Sequence, residues 1–204
     1  MESGLKTDID RLAGLAAVGA EQAAAAFAQL VGETIRTQMP VVVNAGSAAP
    51  LRSETGEGAD PASTGVFFEF EGCLDAIVGI LFPGVASEAL VRRVVGLESG
   101  ELVPPVFESA LMEVGNILAS HVASAIADAL GSRLLPSIPS LAMEGAEEAL
   151  AAFIEASVGA DAPRIESAFA ASSGLLQGRL VLVPTRGGPS DAPLDPGATD
   201  PDDL

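Results

Sequence analysis

A glutamate and an asparagine, Glu113 and Asn116, stand three residues apart in the segment Ser109-Ala-Leu-Met-Glu-Val-Gly-Asn116, and Pro139 follows after twenty-two more residues. On a helix, positions i and i+3 are surface neighbours, with Cβ atoms roughly 5–6 Å apart. A carboxylate at one such position can grip a cation. A carboxamide at the other, both donor and acceptor, can hold a water. The pairing suits hydrolysis of a phosphoryl group carried by another protein. Polar residues recur at 109, 113, 116, 120, 124 and 128, steps of three and four that trace one helix face. Leu111, Val114, Leu118, Val122, Ala125 and Ile126 fall on the opposite faces and are expected to be buried. The solvated side of an ordinary amphipathic helix has the same spacing, so the stripe alone does not choose between chemistry and surface.

The elements that position the stripe can be read from breakers and periodicity. Asp8 or Asp10 is placed to cap a first long helix that stops at Gly32. Leu12–Val31 is apolar, but Glu21, Gln22 and Gln29 interrupt it, and it reads as a buried helix, not a membrane span. Pro40–Val43 reads as a short strand, and residues 44–65, rich in Gly, Ala, Ser and Pro, as a mobile loop. Val66–Phe70 and Ala76–Phe82 form a predicted hairpin turning near Glu71 and Gly72. Ser87–Leu97 has helical spacing. Pro104 and Pro105 punctuate the entry to the second long helix, about Val106–Leu130, which stops at Gly131. A short strand over Ser137–Ala142 and a helix over Glu144–Ser157 follow, the helix with Ala149, Leu150, Phe153 and Ile154 on its apolar face. Arg164–Ala170 and Gly178–Thr185 make a second hairpin. From Arg186 the chain turns to Pro, Gly and Asp, a composition expected to be disordered.

The chain repeats itself at an offset of 99 residues. Asp10 falls on Ser109, Leu12 on Leu111, Ala20 on Ala119, Gly32 on Gly131 and Pro40 on Pro139. The Gly and Pro matches carry most of the weight, because they fix where each helix stops and each strand begins. A pseudo-twofold α/β (α+β) domain follows: two long helices packed together against β-sheet built from two hairpin-containing halves. The repeat breaks where chemistry would sit, since Gly14 occupies the slot of Glu113 and Ala17 that of Asn116.

Composition narrows the function further. With 204 residues the chain is sized for one domain or two small halves. A net charge of −18 argues against nucleic acid and against an anionic membrane as partner, and fits a basic protein partner or plain solubility. Cys73 is the only Cys and His121 the only His, which leaves no disulfide framework, no multi-His zinc site and no ordinary Ser/His/Asp relay. Both read as structural or solvent-facing. No secretory signal is visible at the N-terminus, and the expected location is the cytoplasm.

Ser109, Glu113, Asn116 and Pro139, separated by three, two and twenty-two residues, resemble the signature of the CheC-type chemotaxis phosphatases (the CheC/CheX/FliY family). Glu113-Val-Gly-Asn-Ile-Leu-Ala119 is similar to that family's helix, Pro136-Ser-Ile-Pro139 to its following turn, and Gly178–Pro184 to its last strand. The resemblance covers about residues 8–185, apart from the 44–65 loop. It implies one domain over residues 1–185 made of two repeats, about 8–97 and 107–185, with an acidic tail over 186–204. The family often carries one site per half. Here the first reads Asp10, Gly14, Ala17 and Pro40, so one working site is expected. The implied substrate is phosphorylated CheY, which brings its own Mg²⁺ and lysine, so that no cofactor or metal is expected on this chain. In the implied mechanism Asn116 holds water in line for attack, Glu113 pairs with the substrate lysine, and Ser109 and Pro139 shape the helix and the turn. The receptor deamidase CheD is a further implied partner. The resemblance leaves room for an adaptor that binds CheY or CheD without hydrolysis. A flagellar switch component would be expected to carry an additional domain.

Overall fold

In the computed structural model, which describes residues 2–43 and 60–185, the chain runs α1 (Glu2–Val31), β1 (Ile35–Thr37), β2 (Val41–Val43), β3 (Thr64–Gly72), β4 (Ala76–Phe82), α2 (Gly84–Val95), α3 (Pro104–Leu130), β5 (Leu134–Pro136), β6 (Ser140–Ala142), α4 (Ala146–Val158), β7 (Arg164–Ala171) and β8 (Gln177–Pro184). The strands form one antiparallel sheet in the order β1-β7-β8-β4-β3-β5, with β2 also on β7 and β6 also on β3. α1, α2 and α3 cover one face through a core that includes Phe27, Phe68, Phe82, Leu118, Ile126 and Phe169. α4 covers the other face, where Leu150 and Ile154 pack with Phe67, Ile77, Leu81, Val181 and Val183. β4 lies between both layers and every residue of it is buried, which is why it reads as an unbroken apolar run. β7 is nearer the edge and alternates, with Ile165, Ser167, Phe169 and Ala171 buried.

The two halves interleave. The short strands after α1 pair with β7, in the other half, and the short strands after α3 pair with β3. Val42 pairs with Ile165 and Leu141 with Val66; adding 99 to one partner and subtracting it from the other converts each pair into its counterpart. The same exchange relates Thr37–Phe169 to Pro136–Phe70. Outside the ladders, the Gln38 N–H donates to Ala168 O at 2.8 Å and the Ser137 N–H to Glu69 O at 2.7 Å, again equivalent bonds. The offset seen in sequence is thus a true pseudo-twofold, and it extends to the helix ends. Gly32 (φ 68°) and Gly131 (φ 63°) both adopt the left-handed conformation that terminates α1 and α3, which a side chain bearing Cβ rarely tolerates.

Several boundaries differ from the sequence expectation. α1 begins at Glu2, so Asp8 and Asp10 lie inside the helix and neither caps it. Asp prefers N-caps, but inside a helix it costs only about 0.7 kcal/mol relative to Ala and does not stop propagation. α2 begins at Gly84, three residues earlier than its apolar spacing indicates, because Asp60 Oδ2 accepts the Gly84 N–H at 3.0 Å. β1 and β5, three residues each, are absent from the sequence reading, since strands so short are defined by their partners and not by their own pattern. β2 and β6 start after Pro40 and Pro139, whose segments are turns. α1 and α3 are long and apolar enough to cross a membrane, yet about half of each is buried within the protein. The expected loop over 44–65 lies mostly outside the described residues, as does the expected tail over 186–204.

Candidate functional site

α3 is a firm platform. Pro104 occupies its first turn, where a missing N–H costs nothing, and Gly131 closes its end. Leu111, Val114, Leu118, Val122, Ala125 and Ile126 are all buried, as their spacing requires. Gly115 lies on this face, within the Glu-Val-Gly-Asn segment. A Cβ there would stand 2.7 Å from Val66 Cγ1 and 2.8 Å from Val66 Cβ and Cγ2. α3 therefore rests directly on β3 between the two polar residues, and the glycine sets its height over the sheet. Gly115→Val should force the helix off the strand, at about 2 kcal/mol or more. Calorimetry should show a Tm several degrees below wild type.

On the outer face Ser109, Glu113, Ser120, Ser124 and Asp128 are exposed and Asn116 is half-buried. The Glu113 carboxylate and Asn116 carboxamide are bonded to no other described residue, so their hydrogen-bonding capacity faces outward. Pro139 is half-buried in the turn between β5 and β6. This turn and Asn116 flank the same stretch of β3. Gly115 rests on Val66, whose partner is Leu141, and the Ser137–Pro139 turn is bonded to Glu69, about 10 Å further along the strand. The topology thus ties the helix that carries Ser109, Glu113 and Asn116 and the turn that carries Pro139 to the same strand.

The first half reproduces this frame with Gly14 and Ala17 at the positions of Glu113 and Asn116. Asp10 is exposed like Ser109, Gly14 like Glu113, Ala17 half-buried like Asn116, and Pro40 half-buried like Pro139. Around Gly14 a Cβ would meet nothing within 4 Å, so open space and not crowding accompanies the glycine. An open groove of about 510 Å³ lies on this half, between the end of α1 and β1, lined by Glu21, Ala24, Ala28, Glu33 and Ile35 among others. Neither Glu113 nor Asn116 lines it, and a protein substrate would need no such pocket.

His121 is exposed on α3, one step off the stripe. Cys73 is buried in the turn between β3 and β4, its Sγ 3.9 Å from Ser132 O. Burial pushes its thiol above the ordinary value, which disfavours a reactive thiolate. Among the described residues no three His, Cys, Asp or Glu side chains gather as a metal ion would require.

The pattern of the CheC-like family matches residues 107–142, which span α3, the 137–139 turn and β6. The CheY-P phosphatase CheC of Bacillus subtilis (strain 168) is 29% identical over 152 residues, covering 70% of this chain and 69% of that relative. The chain is thus similar to CheC-like proteins. The chain shares its fold with Thermotoga maritima FliY (TM-score 0.62, 15% identity, 86% of this chain and 88% of the other). It also shares it with CheX in the complex of CheX with CheY, beryllofluoride and magnesium from Borrelia burgdorferi (TM-score 0.55, 13% identity, 82% and 96%).

A feature that sequence reading passed over is Ile138, 89% exposed beside Pro139, with its counterpart Met39, 84% exposed beside Pro40. The available signal was a large apolar residue held before a turn proline in both repeats.

Proposed function

We propose that this chain hydrolyses the aspartyl phosphate of a phosphorylated CheY-like receiver protein. The observation that carries the reading is the placement of Glu113 and Asn116. They lie one turn apart on the exposed face of a buried helix, neither satisfied internally, while the equivalent positions of the first half are blank. Kinship with a CheY-P phosphatase, and the fold shared with a CheX bound to CheY, support the choice of substrate.

In this reading Asn116 holds a water in line with the scissile P–O bond, donating to or accepting from it through its carboxamide. The water attacks phosphorus, the aspartate carboxylate of the receiver departs, and inorganic phosphate is released with the water's proton passing to solvent or phosphate oxygen. Positioning is the main lever in such a transfer, since an acyl phosphate is already labile. Mg²⁺ on the receiver supplies charge neutralisation and belongs to the substrate. Glu113 pairs with the receiver's lysine as a charge-assisted contact and fixes the docking register. Ser109 and Pro139 shape the surface and take no part in the chemistry.

The test follows phosphate loss from a phosphorylated CheY-like receiver alone, with the wild-type chain, and with the Asn116→Ala variant. Acceleration that the variant abolishes supports the reading. Binding without acceleration would make the chain an adaptor. Glu113→Ala should weaken docking and turnover together, by about 10-fold in kcat/KM, for loss of one charge-assisted contact. Gly14→Ala should leave both unchanged.

A further inference from the structure

Ile138 is the most exposed large apolar side chain among the described residues, at 89%. Its turn is held firmly. The Ser137 N–H donates to Glu69 O at 2.7 Å, the Glu69 N–H to Ser137 Oγ at 3.0 Å, and Ser137 Oγ–H to Ile138 O at 2.9 Å. Pro136 and Ser140, on either side, are paired with Phe70 and Phe67. Pro139 adds a further restraint, since the residue before a proline is confined to extended conformations. The segment therefore fixes a large apolar side chain in water, where nothing in the described fold uses it. Leu135 (56% exposed) on β5 and Met143 (37%) just after β6 are also exposed.

We propose that Ile138 is the docking anchor for the phosphorylated receiver: it seats in an apolar depression beside the receiver's phospho-aspartate and sets affinity, while Asn116 sets turnover. The inference rests on the phosphatase reading above. The occupant follows from position. Gly115, next to Asn116, rests on Val66, and the turn is bonded to Glu69 three residues along the same strand, so a protein whose phosphoryl group reaches Asn116 is large enough to extend over the turn. A turn whose backbone is already held in place loses little freedom on docking, which favours its use as an anchor. Met39 is similarly exposed on the pseudo-equivalent turn, but its half carries Gly14 and Ala17 at the positions of Glu113 and Asn116. It is the internal control.

Steady-state hydrolysis over a range of phospho-receiver concentrations decides the matter, with wild type, Ile138→Ser, Ile138→Val, Met39→Ser and Asn116→Ala. Ile138→Ser should raise KM by about 10- to 100-fold, the worth of burying one such side chain, with kcat within twofold. Ile138→Val should recover most of the loss and Met39→Ser should match wild type. Asn116→Ala should lower kcat and leave KM. An unchanged KM for Ile138→Ser overturns the proposal. So does a self-association that Ile138→Ser dissociates in sedimentation without moving KM, which would assign the side chain to a contact between copies. If wild type gives no acceleration, the phosphatase reading fails separately. Calorimetric binding of the receiver in its Mg²⁺–beryllofluoride form then still tests the anchor: Ile138→Ser must weaken Kd by a similar factor, and an unaltered Kd rejects it.

Discussion

Asn116→Ala is expected to reduce the acceleration of phospho-receiver hydrolysis by about 100-fold, with Tm within about 2 °C of wild type. The activity loss has the size associated with misplacing one reacting group. The stability expectation has two sources. Asn116 is half-buried on the outer face of α3 and is bonded to no other described residue, so truncation strands no partner. Ala also favours a helix interior more than Asn does, by several tenths of a kcal/mol. Activity and stability thus separate, and a variant that lost both in parallel would contradict the assignment. Single-turnover rates with saturating phospho-receiver, set beside thermal melts, measure the two quantities.

Arg179→Met should give the largest loss of stability, about 3–5 kcal/mol, the usual result of stripping one partner from a buried ion pair. Arg179 lies on β8 and donates through Nη2 to Glu147 Oε1 of α4 at 2.7 Å; its Nη1 stands 3.5 Å from Glu166 Oε2. Both side chains of the main pair are well buried, at 13% and 7% exposure. Glu166 would keep Arg164, 2.6 Å away, whereas among the described residues Glu147 has no second cation and its Oε2 is buried without a partner. Burial pushes the Glu147 carboxyl above its ordinary value, Arg179 pulls it part of the way back, and Glu148 and Asp60 push it up again. Because the folded state holds that proton more tightly than the unfolded chain, stability falls as pH rises from the ordinary carboxylate range through the raised value. Relative to Glu147→Gln, wild type should therefore lose stability over that interval and level off above it. In Arg179→Met the interval should widen, as the main opposing charge is gone. Denaturant melts across pH provide the measurement, and Arg179→Met combined with Glu147→Leu should recover much of the deficit.

The readable parts of the chain were those where local pattern and tertiary demand agree. α3 declared itself through Pro104, Gly131 and an apolar face that is buried throughout. The hairpins β3–β4 and β7–β8 did so through β-prone runs divided by turns. β1 and β5 were hidden because three residues carry no period of their own and exist only through β7 and β3. The signature positions were legible as spacing and as resemblance, but the reason for Gly115 was not: it depends on Val66, 49 residues earlier in the chain. Ile138 was hidden for a different reason. An apolar letter in a sequence reads as core, and only the bonds from Ser137 to Glu69 turn it outward.

The exchange of short strands between the halves also governs the order in which the molecule can be completed. β2 emerges early, yet its partner Ile165 follows Val42 only after 123 residues of further synthesis. Until then the first repeat carries an open ladder, and loop closure over such a span makes folding slow. A fragment ending after the first repeat would meet the same open ladder permanently, with a second copy of itself as the nearest source of the missing strand. The first repeat, with Gly14 and Ala17 where the second has Glu113 and Asn116, is thus half of the lattice on which the second one is built.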